Sequence, residues 1–285
     1  MPTQAKQFIY LMLTASLLTA SACSKKISTY GRTKIEQRSD SVQLNKRIKA
    51  IKSVQLSSFE QGVFKGTSDT TIAYRLFKPM HSRQEKLPLI VFFHGSNAVG
   101  RDNANQVGIL PKLFAMDKMQ AKYPAYVLAP QFPSRSSNYS LDQKRNLLTS
   151  NPQTCLTSAL QLIDSLKKVI HIDQKRIYVI GFSMGASTAI NAMALKPELF
   201  AAGISISGIP QFDQAATLAN IPLWIIHGNT DTENPFASDE QFYKEVSDKH
   251  KTRFWELDKL AHNNVFSTSF LGEELPNWLF KHSSK

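Results

Sequence analysis

The fold turns on Arg176-Ile177-Tyr178-Val179-Ile180-Gly181-Phe182-Ser183-Met184-Gly185 and the helix-prone run over 186–195 that follows. An apolar segment, a sharp turn and a helix succeed one another here. A serine at such a turn is held in a strained backbone conformation, and the glycines two residues to either side remove β-carbons that would collide. Its hydroxyl is then left exposed above the strand, aimed into whatever cleft lies there.

Outward from this stretch the same type of segment recurs. Residues 87–93, 125–129, 202–207 and 221–226 are short and apolar, as expected of strands covered on both faces, and 252–257 reads as a last strand. Residues 70–77 differ: Thr70-Thr71-Ile72-Ala73-Tyr74-Arg75-Leu76-Phe77 alternates apolar and polar side chains as a half-buried antiparallel strand does, and ends at Lys78-Pro79. Helices fill the intervals. The clearest covers 154–170, where Leu156, Ala159, Leu160, Ile163, Leu166 and Ile170 form a stripe opposite Gln161, Asp164, Lys167 and Lys168. Cys155 falls on the buried side and reads as an inert packed thiol. A C-terminal helix carries Leu271, Leu275, Trp278 and Leu279 on one side. Strand and helix alternate throughout, so the class is α/β with a mostly parallel sheet flanked by helices. There is no internal repeat.

Sites in such sheets form beyond the carboxyl ends of the strands. His94-Gly95-Ser96-Asn97 follows the first buried strand, Ser183 the third, His227-Gly228-Asn229-Thr230-Asp231 the fifth, and Asp258 with Ala261-His262-Asn263 the last. A serine hydroxyl needs a base within hydrogen-bond reach, which His262 supplies, and the imidazole needs an acid to fix its tautomer. Asp231 is the first choice for that acid by its place after the penultimate strand; Asp258 is the competitor and Glu233 a distant third. The N–H of Met184, just after the serine, and that of Ser96 are the candidate donors to an oxyanion. His94 reads as structural, its ring shaping the turn. His81, His171, His250 and His282 have no supporting context. No metal-ligand spacing, phosphate loop or dinucleotide glycine pattern occurs, so neither metal nor cofactor is called for.

Together these segments resemble the α/β-hydrolase superfamily, in its branch of phospholipase/carboxylesterase-like enzymes, predicted peptidases and polyhydroxybutyrate-depolymerase-like or feruloyl-type esterases. Phe92-Phe93-His94-Gly95-Ser96 with Gly100-Arg101-Asp102-Asn103, the run from Tyr123-Pro124 to Pro130-Gln131, the serine turn, and His227-Gly228 leading to Asp231 carry the likeness. Two positions depart from it: Ala186 and Ala261 stand where glycine is common. The resemblance implies acyl transfer to water through an acyl-enzyme on Ser183, with a carboxylic ester, small or polysaccharide-linked, as substrate. A peptidase uses the same machinery and is the alternative; a binding protein with an idle triad is another. The segment 131–150 reads as the loop over the site, with Gln131, Phe132 and Tyr139 as candidate lining residues.

The chain has 285 residues, 42% of them hydrophobic, enough for a full core, and a formal charge of +12. Between Ser24 and Glu60 lie nine Lys or Arg against three acids, and the remaining surplus is diffuse, which argues against a nucleic-acid site on the catalytic body. An apolar run over 8–18, too short for a comfortable membrane span, leads to Thr19-Ala20-Ser21-Ala22-Cys23. This reads as an export signal over 1–22, of the bacterial lipoprotein type, with lipid on Cys23 facing the periplasm or cell surface. Ala20 stands where leucine is usual, and a plain signal cleaved after Ala22, leaving a soluble exported protein, is the alternative. Residues 23–60 then read as a basic tether, drawn to anionic headgroups or simply solvated, and 61–285 as the catalytic domain.

Overall fold

The computed structural model describes residues 30–36, 40–67, 70–79, 85–247, 250–268 and 270–284. The export signal and Cys23 lie outside the described residues. Eleven strands and eight α-helices are described. The strands are β1 (Gly31–Ile35), β2 (Glu60–Lys65), β3 (Thr71–Phe77), β4 (Leu87–Phe93), β5 (Tyr126–Gln131), β6 (Ser137–Asp142), β7 (Leu147–Pro152), β8 (Ile172–Phe182), β9 (Ala202–Ile206), β10 (Leu223–Gly228) and β11 (Thr252–Leu257). The helices are α1 (Ser41–Lys52), α2 (Ile109–Ala115), α3 (Asp117–Lys122), α4 (Thr154–Val169), α5 (Met184–Leu195), α6 (Ala215–Leu218), α7 (Phe236–Val246) and α8 (Glu274–Leu279).

Nine strands form one sheet in the order β1-β11-β10-β9-β8-β4-β5-β3-β2. Only β3 runs against the others, pairing antiparallel with both β5 and β2. Its alternating side chains had marked it as the odd strand. Strands β4, β9, β10 and β11 are buried throughout, with Leu89, Val91 and Phe93 of β4 entering one core and Ile90 and Phe92 the other. Helices α4, α5 and α7 cover the first face through Leu156, Ile190 and Phe242, while α1, α2 and α8 cover the second through Ile51, Phe114 and Trp278.

Two segments differ from the sequence expectation. Residues within the supposed tether are folded: β1 extends the sheet by parallel pairing with β11, and α1 docks on α2. Helix α1 is capped by the Asp40 carboxylate, which accepts from the N–H of Val42 at 2.9 Å, and it buries Leu44 and Ile51 in a stripe that four basic residues conceal in the sequence. Part of the basic surplus is spent within the fold, since Arg32 pairs with Glu240 and Glu256 and Lys34 with Asp258. The folded body therefore begins by residue 30 rather than at 61.

The second difference is the segment 131–150, read as a loop, which contains most of a hairpin, β6–β7. Polar contacts dock it on α5: Ser136 Oγ meets Thr188 Oγ1 at 2.8 Å, Asn191 Nδ2 donates to Ser137 Oγ at 3.0 Å, and Ser150 Oγ donates to Asn191 Oδ1 at 3.0 Å. At its turn Arg145 bridges Asp142 and, through both Nε and NH2, Glu245 of α7.

If α1 is part of the domain, truncating its anchor should cost as much as truncating any core residue. Ile51→Ala is expected to lower the free energy of unfolding by about 2–5 kcal/mol, and Val42→Ala, at a site 73% exposed, by less than about 0.5 kcal/mol. Denaturant titration followed by circular dichroism checks both; equal small effects would return α1 to the tether.

Candidate active site

Ser183 sits between β8 and α5 with φ +57° and ψ −124°, a conformation that strains any residue with a β-carbon. The strain is imposed by close packing. A β-carbon on Gly181 would lie 1.9 Å from the Gly185 carbonyl oxygen, and one on Gly185 would lie 2.0 Å from that of Phe93. Glycine at these positions lets the end of β8, the start of α5 and the end of β4 converge. Ser183 itself is tied to β9, its N–H donating to the Ile206 carbonyl at 2.9 Å.

A backbone link brings the distant partners in. The loops after β10 and β11 are joined by the N–H of Thr230 donating to the Leu260 carbonyl at 3.2 Å, which sets Asp231 beside His262. His262 Nε2 lies 2.8 Å from Ser183 Oγ, and its Nδ1 lies 2.6 Å from Asp231 Oδ2. The His262 ring also packs on Phe182, with centroids 5.1 Å apart. Asp231 Oδ1 accepts from the N–H of Glu233 and of Asn234, at 2.9 and 3.0 Å. Burial by itself would push the Asp231 carboxyl up, but hydrogen bonds from His227, His262 and the Asn234 backbone outweigh it and hold the group well below the usual carboxylate range. With Asp231 ionised, Nδ1 of His262 carries the proton and Nε2 is the acceptor facing Ser183.

The remaining expected residues divide. Asp258 is not near His262: it pairs with Lys34 at 2.9 Å and accepts from Asn229 at the edge of the sheet. Glu233 is exposed, its Oε2 4.0 Å from His262 Nε2 on the solvent side. Met184 opens α5, so its N–H is one of the orphan donors of a first helical turn. Ser96 opens a short 3₁₀ turn after Gly95, and a β-carbon on Gly95 would lie 3.6 Å from Ser183 Cβ, which puts this turn against the serine. Among the described residues neither N–H has a protein acceptor. His94 receives the Phe132 N–H on Nε2 at 2.9 Å, so its Nδ1 donates to the Gly95 carbonyl at 2.7 Å, and burial pushes its pKa down. It is a neutral brace of the turn.

Gln131 and Phe132 do not line the cleft. The Gln131 side chain is buried, holding the 98–103 loop through Ala98, Asp102 and Asn103, and the Phe132 ring is buried against Phe93 and His94. Tyr139 is half-buried on the hairpin, where its hydroxyl accepts from Ser187 Oγ at 3.2 Å. A cavity of about 250 Å³ opens beside the serine turn, walled by Asn97, Asn105, Ile109, Pro111, Phe182 and Phe266, and no Asp, Glu, Lys or Arg lines it. Sequence reading gave His227 no role and passed over Asp239, both buried behind Asp231. Their signal was faint: a histidine four residues before the acid and an aspartate inside an amphipathic helix.

The parallel sheet with one reversed strand, the serine elbow and the row of Ser183, His262 and Asp231 define the α/β-hydrolase fold. Within it, the chain belongs to the phospholipase/carboxylesterase family, whose profile matches residues 80–268. Among solved structures it is similar to a thermostable esterase, 31% identical with a TM-score of 0.72 over 80% of this chain and 64% of that one. Est1E from Butyrivibrio proteoclasticus, 16% identical, and an acylaminoacyl peptidase from Pyrococcus horikoshii, 21% identical, share the fold, each with a TM-score of 0.54. The first covers 77% of this chain and 99% of its own, the second 80% and 40%. A bifunctional acetylxylan esterase/xylanase from Neocallimastix patriciarum is 34% identical over 89 residues, 31% of this chain and 13% of that protein. The chain thus spans under two thirds of both the thermostable esterase and the xylanase.

The elbow tolerates no added carbon. Gly185→Ala, which sets a β-carbon against the Phe93 carbonyl, is expected to destabilise by about 1–3 kcal/mol or more and to lower the thermal midpoint, read by differential scanning calorimetry.

Proposed function

We propose that this protein is a serine carboxylesterase acting through an acyl-enzyme. The observation that carries the reading is the continuous hydrogen-bonded row from Ser183 Oγ through His262 to Asp231, at 2.8 and 2.6 Å. Ser183 Oγ attacks the ester carbonyl carbon as its proton passes to His262 Nε2. The N–H groups of Met184 and Ser96 receive the resulting oxyanion. Collapse of the tetrahedral intermediate breaks the bond to the alkoxy oxygen, and His262 returns the proton to the departing alcohol. Water then attacks the acyl-enzyme with His262 again as base, and the carboxylic acid leaves. Asp231 fixes the tautomer of His262 and balances its charge while it is protonated.

Family membership and the 31% identity to an esterase favour ester over amide cleavage. The cavity against Phe182 and Gly95 at the serine turn, free of charged side chains, suits an uncharged ester. Acetylated polysaccharide is the substrate class to try first, in view of the acetylxylan esterase relative. We further propose that residues 1–22 export the chain and that lipid on Cys23 holds it at a membrane. No helix among the described residues is long and apolar enough to cross one.

With p-nitrophenyl acetate as substrate, Ser183→Ala is expected to lose turnover by about a million-fold and Asp231→Asn by roughly ten-thousand-fold, while Asp258→Asn stays near wild type. Full activity in Ser183→Ala would refute the nucleophile. A panel of acetylated sugars, feruloyl esters and short peptides ranks the substrates, and faster cleavage of the peptides would overturn the esterase reading. Mass spectrometry of the mature protein is expected to find diacylglycerol on an N-terminal Cys23; an unmodified cysteine refutes the anchor.

A further inference from the structure

The hydrogen bonds of the site do not stop at Asp231. Its Oδ2, which meets His262 Nδ1 at 2.6 Å, also lies 3.1 Å from Nε2 of His227, at the end of β10. That same nitrogen is 2.9 Å from the carbonyl oxygen of Asn234. A carbonyl can only accept, so His227 Nε2 carries a proton. The opposite ring nitrogen, Nδ1, is 2.7 Å from Oδ2 of Asp239 on α7, and the side chains of His227 and Asp239 are both 0% exposed. Asp239 Oδ1 has no hydrogen-bond partner among the described residues. His227 is therefore the only described group that stabilises the Asp239 carboxylate directly.

A carboxylate this deeply buried persists only if a cation matches it. The ring between Asp239 and Asp231 is in place to be that cation, with an anion at each nitrogen. Burial would push His227 down, but its hydrogen bonds to Asp231 and Asp239 outweigh this and raise it to about 9. Burial raises Asp239 on balance, and its hydrogen bond to His227 offsets part of that rise. The other charges nearby are already engaged. Glu256, beside His227 on β11, is bonded to Arg32 and Asn229, and Arg32 pairs with Glu256 and Glu240 while lying over the Phe236 and Phe254 rings. Glu233 reaches His262 from the solvent side, and Lys34 holds Asp258. No Lys or Arg among the described residues pairs with Asp231.

We propose that His227 is a positioning residue of this site: doubly protonated between Asp239 and Asp231, it fixes the shared Oδ2 and sets the acid limit of the activity. The inference rests on the reading of Ser183, His262 and Asp231 as a working triad. Its physical content is a balance. An ionised Asp231 bonded to His262 alone would direct its whole attraction at that one ring. A second cation on the same oxygen takes up part of that attraction, which extends activity further toward acid. Asp239 keeps His227 charged and lies on the far side of its ring, so the pair presents its positive end to Asp231.

Two near-isosteric variants separate charge from packing. Asp239→Asn removes the counter-anion, so His227 reverts to a neutral ring that still donates from Nε2. His227→Gln offers an uncharged N–H to Asp231. In both, the acid limb of the kcat/KM profile is expected to move up by about one pH unit. Labelling of Ser183 by a fluorophosphonate is the control. A wild-type protein that does not label overturns the triad reading and this one with it; a protein that labels normally, with the same acid limb in all three forms, overturns the role of His227 alone. Should either variant fold poorly, nitrogen-15 spectra of histidine-labelled wild-type protein read the ring directly. Both His227 nitrogens are expected to be protonated at neutral pH, and an unprotonated Nδ1 overturns the proposal.

Discussion

Three backbone segments meet at Ser183 with no room for a side-chain carbon between them, and this approach governs the rest of the site. Because Gly181 and Gly185 let the ends of β4 and β8 and the start of α5 touch, the serine is raised into its positive-φ turn. The same contact brings the His94-Gly95 turn against it. The orphan donors of two helical first turns thus come to flank one hydroxyl without any side chain to aim them. What remains for the side chains is proton handling, and that is delivered from the other half of the sheet by the joined loops after β10 and β11.

Polar groups at the site are buried, yet the site is not a set of isolated pairs. Asp231 uses both oxygens fully, one toward backbone N–H groups and one toward two imidazoles. Each bond makes loss of its ionised form more costly, so the acid resists protonation despite being buried. His94 shows the opposite use of burial. Deprived of any carboxylate partner, it stays neutral and serves as a brace.

The sequence exposed this fold wherever structure is written in apolar residues. Strands covered on both faces had to be continuous runs, and the reversed β3 had to alternate, so the sheet and the places where catalytic groups emerge could be read directly. Segments held by polar contacts were invisible. The hairpin β6–β7 docks through Ser136, Ser137 and Ser150 on Thr188 and Asn191, residues that individually resemble any solvated loop. Helix α1 hides its few anchors among lysines and arginines, and β1 is five residues at a sheet edge. In the site, strand-end logic brought out Ser183, His262 and Asp231 because it asks where a chain reverses. It misplaced Gln131 and Phe132 because position after a strand does not say which way a side chain turns.

Strand β1 gives the molecule a front and a back. It runs parallel to β11, so the chain enters it at the end of the sheet opposite the edge where Ser183 and its partners stand. Whatever precedes Tyr30 therefore leaves from the rear. Only eight residue steps separate Cys23 from Gly31, a reach of at most about 3.6 Å for each step. Under the anchor proposed at Cys23, the cleft faces away from the membrane, open to material approaching from the far side.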